Sequence, residues 1–450
     1  MGKYFGTDGI RGVANRHPMT PEFAVKIGRA AAFLFRKKEK KSRIIIGRDT
    51  RLSGDMLASA LMSGICSAGV DAVSAEILPT PGIACLTASD ETACAGIVVS
   101  ASHNPFSDNG IKLFDKDGYK LSEETEASLE KLLENDAALD DKASHVEIGQ
   151  IVSISDGPAR YKNFLLSTCK NLSLKGLKIA LDCANGAVYH LAPQIFSELG
   201  AETLPLFAAP DGKNINAGCG SEHPEILSDA VKKNKADIGL AFDGDGDRLV
   251  AVDEKGEVLT GDQLMAVYAR DMQRNKKLEN HIVVSTVMSN IGLKAALQKM
   301  GVRHLAADVG DRRVMEKMRE TGAVLGGENS GHLLFLNHHT TGDGLLSALQ
   351  LLKIMMDTRQ PLSDLSRVMA VFPQALVNVA VGKKPEIDSV AVIREKIQSV
   401  ENSLAEKGRV LVRYSGTQPV CRIMVEGPDR ETTERYCREI AEVVQKELGL

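Results

Sequence analysis

Three aspartates at alternate positions form the segment of this chain best suited to metal chemistry. Asp243, Asp245 and Asp247 lie in the run DGDGDR, where two glycines let the loop curl inward so that the carboxylates converge. Because three like charges held close together need a cation, the segment predicts a metal site. Ligands that are all oxygen favour magnesium (Mg²⁺), which usually keeps open positions for water or phosphate.

Two other interpretations of the aspartate loop are open. In a calcium-binding EF-hand, the three aspartates and Glu254 would stand at positions 1, 3, 5 and 12. However, Arg248 occupies the place where that loop requires glycine, and the preceding segment has the pattern of a strand rather than a helix. A haloacid-type phosphatase is the nearest hydrolase alternative, although the sequence lacks the Asp-x-Asp-Gly-Thr/Val setting of its nucleophile.

A serine suited to carrying a phosphoryl group follows a second apolar run, residues 95–99. Ser102 has His103 beside it and lies in a segment whose proline disfavours helix at Asn104. A phosphoserine brings nearly two negative charges that a metal can balance. The alternative is an ordinary serine turn. Lys112 follows closely enough to fold back as a general base or a phosphate contact, or it is a solvated surface lysine.

Two further segments have the composition of sugar and phosphate contacts. A carboxylate and a hydroxyl, Glu328 and Ser330, lie on a glycine-rich loop that could fix vicinal sugar hydroxyls. A cationic fork, hydroxyls and glycine N–H groups, which suit a phosphate monoester, follow the apolar run 409–412; they belong to Arg413, Ser415, Gly416, Thr417 and Arg422. The alternative for this segment is a plain turn with exposed arginines.

Near the N-terminus, the segment 5–12 carries arginine among glycines, and so does the segment 47–51. Arg11 in the first of them could neutralise a phosphate near Ser102.

Composition narrows the class of protein. A chain of 450 residues exceeds the size of one hydrophobic core, so several domains are expected. A net charge of -4 gives no basic stripe for nucleic acid or membrane, which favours a small-molecule partner. We find neither an apolar signal core nor a long apolar span, so we expect a cytoplasmic protein. Its eight cysteines lack a Cys-x-x-Cys pair and are expected to be reduced thiols.

The elements that must position these residues alternate between short apolar runs and helical patterns, which is typical of an α/β fold. Strands are predicted at 43–47, 177–182, 236–242 and 281–285, the first of them followed by a helix at 55–62. After about residue 370, strand-like runs at 375–381 and 409–412 flank a helical stretch, and Pro428 precedes a closing amphipathic helix.

Charged, weakly apolar stretches near 135–150 and 254–262 are expected to separate three α/β units. The sequence therefore predicts four domains: 1–152 with the serine loop, 153–254 with the aspartate loop, 255–369 with the sugar loop and a smaller α+β domain at 370–450 with the phosphate loop.

Taken in order, the loops at 100–105, 243–248, 327–330 and 413–417 resemble the signature loops of the α-D-phosphohexomutase superfamily, over essentially the whole chain. The resemblance implies three related α/β domains and a smaller C-terminal domain around a central cleft. Within the superfamily, the segments 5–12, 214–221 and 340–344 are similar to the bacterial phosphoglucosamine mutase branch.

The resemblance also implies an activity, the interconversion of glucosamine 6-phosphate and glucosamine 1-phosphate through a phosphoserine and a 1,6-bisphosphate. This activity would feed UDP-N-acetylglucosamine and peptidoglycan precursor synthesis, with Mg²⁺ and a sugar 1,6-bisphosphate activator as cofactors. A homodimer is a further expectation. A phosphomannomutase or phosphoglucomutase of the same superfamily, or a catalytically silent phosphosugar-binding protein, is the alternative.

The implied catalytic residues are Ser102, Lys112, Arg11 and His103. The implied metal ligands are Ser102, Asp243, Asp245 and Asp247. The implied substrate contacts are Glu328, Ser330, Arg413, Ser415, Gly416, Thr417, Arg422 and Arg248. The chain departs from the family pattern at Tyr414 and Gln418, where proline and glutamate are usual, and at Arg313, where tyrosine is common.

Overall fold

The computed structural model of the protein describes residues 2–6, 8–36, 42–139, 147–415 and 419–450. The chain divides into two compact units. The first contains Met1–Val287 and Val302–Arg367, and the second contains Met288–Gly301 and Val368–Leu450.

The strands are β1 (Phe5–Gly6), β2 (Gly9–Val13), β3 (Arg43–Arg48), β4 (Asp71–Ile77), β5 (Ala93–Val99), β6 (Asp108–Asp115), β7 (Ile151–Ser153), β8 (Lys178–Asp182), β9 (Glu202–Leu206), β10 (Ile238–Phe242), β11 (Leu249–Asp253), β12 (Val258–Leu259), β13 (Ile282–Thr286), β14 (Arg303–Ala307), β15 (Leu325–Gly327), β16 (Leu333–Phe335), β17 (Gln374–Ala380), β18 (Arg409–Tyr414) and β19 (Val420–Glu426).

The helices are α1 (Pro21–Phe35), α2 (Gly54–Ser67), α3 (Thr80–Ser89), α4 (Glu123–Glu134), α5 (Gly157–Thr168), α6 (Leu191–Glu198), α7 (Glu225–Asn234), α8 (Gly261–Arg274), α9 (Ile291–Lys299), α10 (Asp311–Thr321), α11 (Gly344–Thr358), α12 (Leu362–Leu365), α13 (Ala391–Leu404) and α14 (Arg430–Leu448).

The described part of the first unit contains three mixed sheets. Their strand orders are β1-β2-β6-β5-β3-β4-β7, β12-β11-β10-β8-β9 and β14-β13-β15-β16. Each sheet contains a strand that pairs in parallel with both of its neighbours: β3 with β4 and β5, β8 with β9 and β10, and β13 with β14 and β15. Antiparallel pairs complete the sheets, among them β5 with β6, β10 with β11 and β15 with β16. The three α/β sheets confirm the fold class predicted from the alternation of apolar runs and helical patterns.

Long apolar runs form the central strands because helices cover both faces of a largely parallel sheet. Every residue of β5 is buried, and so is every residue of β10. Both strands end at the loops that carry the candidate functional residues. The carboxyl ends of such strands are the usual place for ligand sites in α/β proteins.

The charged stretch at 254–262 is not a plain linker. It contains β12, which pairs antiparallel with β11, and the first residues of α8. Of the other predicted separator, residues 140–146 lie outside the described residues. The four domain boundaries stay predictions.

Helices α1 and α2 pack closely through two glycines. A Cβ at Gly64 would lie 2.0 Å from the backbone oxygen of Val25, and a Cβ at Gly28 would lie 2.2 Å from that of Leu61. Because the obstructing atoms belong to backbone, rotation of a side chain cannot relieve the overlap. The hydrogen side chains of these two glycines therefore set the distance between the helices.

Replacing Gly64 by alanine is expected to destabilise the first unit by about 3 kcal/mol, since overpacking forces the two helices apart. Thermal or urea unfolding of the purified variant measures this loss. Ser63→Ala, at an exposed position of the same helix, is the control and should change stability by less than about 0.5 kcal/mol. A Gly64→Ala protein as stable as the wild type would contradict the close packing.

The second unit is an antiparallel sheet, in the order β17-β19-β18, packed against helices. Its buried core includes Ile393, Val400, Ile423, Val425, Ile440 and Val444. The closing helix predicted after Pro428 is α14, whose N-cap Asp429 accepts a hydrogen bond from the backbone of Thr432. Across the residues that the structure describes, none of the helices is both long and apolar enough to cross a membrane.

Candidate active site

Ser102 lies in the loop that follows β5, and its side chain is buried. Its hydroxyl donates a hydrogen bond of 2.5 Å to Asp243 Oδ2. The Nδ1 atom of His103 lies 3.3 Å from the same hydroxyl. The Ser102 N–H donates to Ser100 Oγ at 3.0 Å. The hydroxyl therefore contacts a carboxylate from a different sheet, rather than the backbone of its own turn.

The aspartate loop connects β10 to β11, and its three carboxylates converge. Ligand atoms of Asp243, Asp245 and Asp247 all lie within 4.8 Å of one another, and the three residues are buried. A Cβ at Gly244 would lie 2.6 Å from the Ser102 backbone oxygen, so glycine permits the close approach of the two loops. The structure thus brings together the serine and the three aspartates that the sequence predicted.

The residues of this loop fit a cation. Asp245 Oδ1 is buried and accepts no hydrogen bond from the described residues, so it has a free lone pair for a metal. Burial, together with the negative charges of Asp247 and Asp245, raises the pKa of Asp243 well above its usual range. A divalent ion would relieve this repulsion. The oxygen-only ligand set supports magnesium over softer metals.

The EF-hand alternative is wrong. The loop joins two antiparallel strands, not two helices. Glu254, which would be the last ligand of an EF-hand, instead accepts a hydrogen bond of 2.5 Å from the Ser363 hydroxyl. Glu254 is also outside the cluster of carboxylates that could hold a metal ion.

Thr80, the first residue of α3, donates two hydrogen bonds to Asp245. Its hydroxyl donates to Asp245 Oδ2 at 2.5 Å, and its N–H donates to the Asp245 backbone oxygen at 2.9 Å. The side chain is fully buried. These two bonds fix both the backbone and the carboxylate of a candidate metal ligand, which is how outer groups orient metal ligands in general.

Replacing Thr80 by valine, which has nearly the same shape, is expected to weaken divalent metal binding about 10-fold to 100-fold. The Kd of Mn²⁺, measured by electron paramagnetic resonance on the purified protein, tests this without an activity assay. Thr80→Ser keeps the hydroxyl and should restore affinity to within about threefold of the wild type. Equal Kd values for the valine and serine variants would show that the hydroxyl does not orient Asp245.

Lys112 projects from β6 into the carboxylate cluster. Its Nζ lies 2.8 Å from Asp245 Oδ2, 2.9 Å from Asp8 Oδ2 and 3.5 Å from Asp247 Oδ2. Burial alone would lower the pKa of Lys112, but Asp245 and Asp8 outweigh it and hold the pKa well above its usual range. A lysine in this state is an ammonium. The geometry therefore favours a phosphate contact over a general base, the two roles predicted for Lys112.

Asp8 is a negative centre among three cations. It forms ion pairs with Lys112, Lys120 and Arg11. Although burial opposes it, these positive charges hold the pKa of Asp8 well below its usual range. Arg11 thus lies beside the cluster, where its guanidinium pairs with Asp8. Its role in neutralising a phosphate near Ser102 stays a prediction.

The sugar-loop candidates belong to the turn between β15 and β16. Glu328 Oε1 accepts a hydrogen bond of 3.2 Å from the Gly310 N–H, and burial raises the pKa of Glu328. The buried Ser330 hydroxyl has no hydrogen-bond partner in the described part of the chain. Both groups can accept or donate a further hydrogen bond, as a sugar hydroxyl would require.

A strand-like bridge joins the sugar turn to the aspartate loop. Arg248 pairs with His332 in an isolated antiparallel bridge, and the Leu249 N–H donates to Gly331 O at 3.0 Å. The Arg248 side chain forms an ion pair of 3.0 Å with Glu222. Glu328 and Ser330 are therefore held at a fixed position relative to Asp243, Asp245 and Asp247.

His332 was not among the predicted site residues, although it follows the glycine-rich loop of Glu328 and Ser330 directly after Gly331. Its Nδ1 lies 3.6 Å from Asp247 Oδ1 and its Nε2 lies 3.7 Å from Asp311 Oδ2. Burial alone would lower the pKa of His332, yet the two carboxylates raise it. Asp311 in turn pairs with Lys120. A histidine that directly follows a candidate sugar loop was the available signal.

Two other residues near Ser102 were missed. Arg51 and Asn216 both donate hydrogen bonds to the backbone oxygen of Ser102, at 2.8 and 2.9 Å. The excess of arginine at 47–51 was noted, but nothing in the sequence showed where its side chains lie. The segment 214–221 was singled out only as a family resemblance.

The predicted phosphate contacts belong to the second unit. Arg413 on β18 and Arg422 on β19 stand opposite each other in the antiparallel register, so they share one face of the sheet. The Ser415 N–H donates to Val420 O at 2.9 Å, and the Ser415 carbonyl accepts from Lys384 Nζ at 2.9 Å. The predicted contacts Gly416 and Thr417, and the departure at Gln418, lie outside the described residues.

Arg313, where the family commonly has tyrosine, is half exposed on α10. It forms ion pairs with Glu123 at 2.5 Å and with Glu316 at 2.9 Å. Such exposed pairs contribute little to stability. The other departure within the described residues, Tyr414, is the last residue of β18.

Family models agree with this architecture. Those described as phosphoglucomutase/phosphomannomutase alpha/beta/alpha domains I, II and III match residues 2–140, 159–256 and 260–372, and that of the C-terminal domain matches 376–443. A solved phosphoglucomutase/phosphomannomutase family protein from Burkholderia thailandensis has 27% identity and a TM-score of 0.80, with 99% of each chain covered. The fold and site thus define a phosphohexomutase, which is an isomerase.

Curated relatives narrow this class. Phosphoglucosamine mutases from Syntrophus aciditrophicus and Syntrophobacter fumaroxidans are 55% and 52% identical to the chain, with 100% of each sequence covered. An Aspergillus fumigatus N-acetylphosphoglucosamine mutase, solved with GlcNAc-6P and magnesium, has the same fold, with 17% identity, a TM-score of 0.70 and coverage of 98% of this chain and 95% of that one. The chain belongs to the phosphoglucosamine mutases of the α-D-phosphohexomutase superfamily, as its sequence motifs predicted.

Proposed function

We propose that this enzyme interconverts glucosamine 6-phosphate and glucosamine 1-phosphate, with Ser102 as the phosphoryl carrier. The observation that carries the proposal is the 2.5 Å contact between the buried Ser102 hydroxyl and Asp243, at the edge of a cluster of three aspartates. Membership of the phosphoglucosamine mutases supports the choice of sugar. The product would feed UDP-N-acetylglucosamine and peptidoglycan precursor synthesis.

Asp243, Asp245 and Asp247, with a phosphate oxygen on Ser102, would hold a magnesium ion. When bound there, the ion neutralises negative charge on the phosphoryl group during transfer. Lys112, held as an ammonium between Asp245 and Asp8, adds a fixed positive charge at the same place. Charge that is oriented in advance inside a buried site is the main source of catalysis in phosphoryl transfer.

The proposed reaction has two transfers through one serine. In the first, the bond between phosphorus and Ser102 Oγ breaks, a bond from phosphorus to the sugar O1 forms, and the hydroxyl proton passes to the serine oxygen. The resulting 1,6-bisphosphate reverses its orientation. In the second, Ser102 takes the 6-phosphoryl group and returns a proton to O6. A sugar 1,6-bisphosphate would likewise act as the activator that loads Ser102.

The other predicted residues receive binding roles in this proposal. Glu328 and Ser330 would bind sugar hydroxyls. Arg248 would contact the substrate beside them, because its bridge to His332 joins the aspartate loop to the turn that carries Glu328 and Ser330. His103 would orient the phosphoserine, since its Nδ1 lies 3.3 Å from the Ser102 hydroxyl. The phosphate that is not reacting would bind to Arg413, Ser415, Gly416, Thr417 and Arg422.

The test of the proposal is turnover of glucosamine 6-phosphate, mannose 6-phosphate and glucose 6-phosphate, with magnesium and a sugar 1,6-bisphosphate present. We expect the highest kcat/KM for glucosamine 6-phosphate. A preference for either other sugar would overturn the proposed substrate. No turnover of any of them, together with no phosphate on Ser102 in the intact mass, would overturn the mutase mechanism.

Arg413→Ala is expected to raise the KM for glucosamine 6-phosphate about 10-fold to 100-fold, because a charge-assisted phosphate contact contributes about 1.5 to 3 kcal/mol. Steady-state kinetics measures this change. Arg409 on the same strand pairs with Glu426 instead, so an Arg409→Lys variant that keeps this charge serves as the control. An unchanged KM in Arg413→Ala would remove Arg413 from the substrate contacts.

The homodimer and the cytoplasmic location expected from the sequence stay predictions. Light scattering of the eluting protein during size-exclusion chromatography measures the first of them directly. A monomeric mass at micromolar concentration would contradict the dimer.

A further inference from the structure

Ser102 has a backbone conformation that needs support. Its φ of 53° lies in the left-handed region, which costs energy for any residue with a Cβ. Such conformations persist only where the surrounding structure fixes them. The direction of the Ser102 hydroxyl therefore depends on the groups that hold this loop.

Arg51 is the first of these groups. Its side chain is fully buried, and Nε donates to Asp49 Oδ2 at 2.8 Å. The two remaining nitrogens donate to four carbonyl groups of the serine loop and the start of β6. These acceptors are the backbone oxygens of Ser102 (2.8 Å), Asn104 (2.8 Å), Asp108 (3.1 Å) and Pro105. The planar guanidinium has five donors in a fixed arrangement, which lysine cannot reproduce.

Asn216 is the second group, and it comes from the loop between β9 and α7. Its Nδ2 donates to the Ser102 oxygen at 2.9 Å and to the Asn104 oxygen at 3.0 Å, which are two of the acceptors that Arg51 uses. A carbonyl oxygen has two lone pairs, so it can accept from both residues. Asn216 itself has a φ of 57°, a conformation that asparagine tolerates better than most residues.

We propose that Arg51 and Asn216 are positioning residues that form a carbonyl clamp, which holds the Ser102 loop in its left-handed conformation and keeps the Ser102 hydroxyl against Asp243. This inference rests on the proposed function only in giving Ser102 the role of phosphoryl carrier. It also gives the segment 214–221 a physical role, because Asn216 links the loop of the first sheet to the second sheet, which carries the aspartates.

The carbonyl clamp predicts that its loss changes kcat but not KM. Arg51 and Asn216 touch the serine loop, whereas the candidate sugar contacts Glu328 and Ser330 lie in a different turn. Loss of the clamp should therefore lower kcat, because the phosphoryl group is misplaced, and leave the KM for the sugar nearly unchanged. A general loss of folded protein would lower the active fraction without changing the exchange rate of one loop.

The experiment compares Asn216→Gly and Arg51→Lys with the wild type. Glycine accepts a positive φ without strain, so Asn216→Gly removes the amide and leaves the backbone conformation free to persist. Asn214→Ala is the matched control, since Asn214 lies in the same loop and its side chain bonds, within the described residues, to the Asp211 N–H and the Ala209 oxygen rather than to the serine loop. Amide hydrogen exchange of the peptide covering residues 100–106 reports on the loop, and steady-state kinetics reports on kcat and KM.

We expect exchange in this peptide to be about tenfold faster in Asn216→Gly, and faster still in Arg51→Lys, with kcat lower by about tenfold or more and KM within about twofold. Asn214→Ala should match the wild type in all three. Wild-type exchange and kcat in Asn216→Gly would overturn the carbonyl clamp. If Arg51→Lys does not fold, as circular dichroism would show, Asn216→Gly decides alone.

The same measurements separate this inference from the proposed function. Absence of phosphate on wild-type Ser102 after incubation with a sugar 1,6-bisphosphate would overturn the proposed carrier. The exchange of residues 100–106 can be compared among the unphosphorylated proteins, so it would still support or overturn the carbonyl clamp.

Discussion

The Ser102→Ala variant is expected to lose turnover by about 10⁴-fold or more, because no other group can carry the phosphoryl group between the two sugar oxygens. The fold should survive, since alanine leaves the buried position filled and removes one hydrogen bond to Asp243. Turnover with a sugar 1,6-bisphosphate present measures the loss. Intact mass should show one phosphate on the wild-type protein and none on the variant.

Ser107→Ala is the matched control for this experiment. Ser107 is an exposed residue of the same loop; its backbone oxygen accepts a hydrogen bond from the Ala14 N–H, and its hydroxyl has no hydrogen-bond partner in the described part of the chain. We expect its kcat to stay within about twofold of the wild type. Near-normal turnover by Ser102→Ala would exclude Ser102 as the carrier, whatever the behaviour of the control.

Replacing Asp245 by asparagine has the second largest expected effect. The change removes one of three negative ligands and one partner of the Lys112 ammonium. Since metal stabilisation of a transferring phosphoryl group is worth several kcal/mol, we expect kcat/KM to fall by about 10³-fold. Metal titrations should show weaker Mn²⁺ binding in parallel.

Two comparisons make the Asp245 result specific. Asp237 is exposed and directly precedes the first residue of β10, whereas the aspartate loop follows the last one. The Asp237→Asn variant should leave metal affinity unchanged. Treatment of the wild type with a chelator should abolish turnover, and added magnesium should restore it. Full turnover by the wild type in excess chelator would contradict a metal in the mechanism, and full turnover by Asp245→Asn would contradict the predicted role of Asp245 as a metal ligand.

Much of this architecture could be predicted because the apolar runs are local signals. The runs that became β5 and β10 are continuous and bounded by glycine or polar turns, so their type and approximate ends followed from the sequence alone. The loops that follow them carry Ser102 and Asp243. Once the ends of these two strands were assigned, the residues just beyond them could be predicted as a phosphoryl carrier and a metal ligand.

The parts that could not be predicted depend on contacts between distant segments. Arg51 meets the serine loop across 51 residues, and Asn216 meets it across 114. No local pattern distinguishes such an arginine from one at the surface. The charge state of Lys112 was likewise hidden, because it depends on Asp8 and Asp245, which reach it only through the pairing of β2 with β6 and the approach of the second sheet.

The membership of α9 in the second unit has a consequence for biosynthesis. The Ile291 N–H, at the start of α9, donates to Glu426, which lies 135 residues later in the chain. At about 5–20 residues per second, the ribosome adds those residues over roughly 7 to 27 seconds. During that interval α9 lacks the strand that completes its N-terminus. The newly made α9 therefore stays without this partner until β19 has been synthesised.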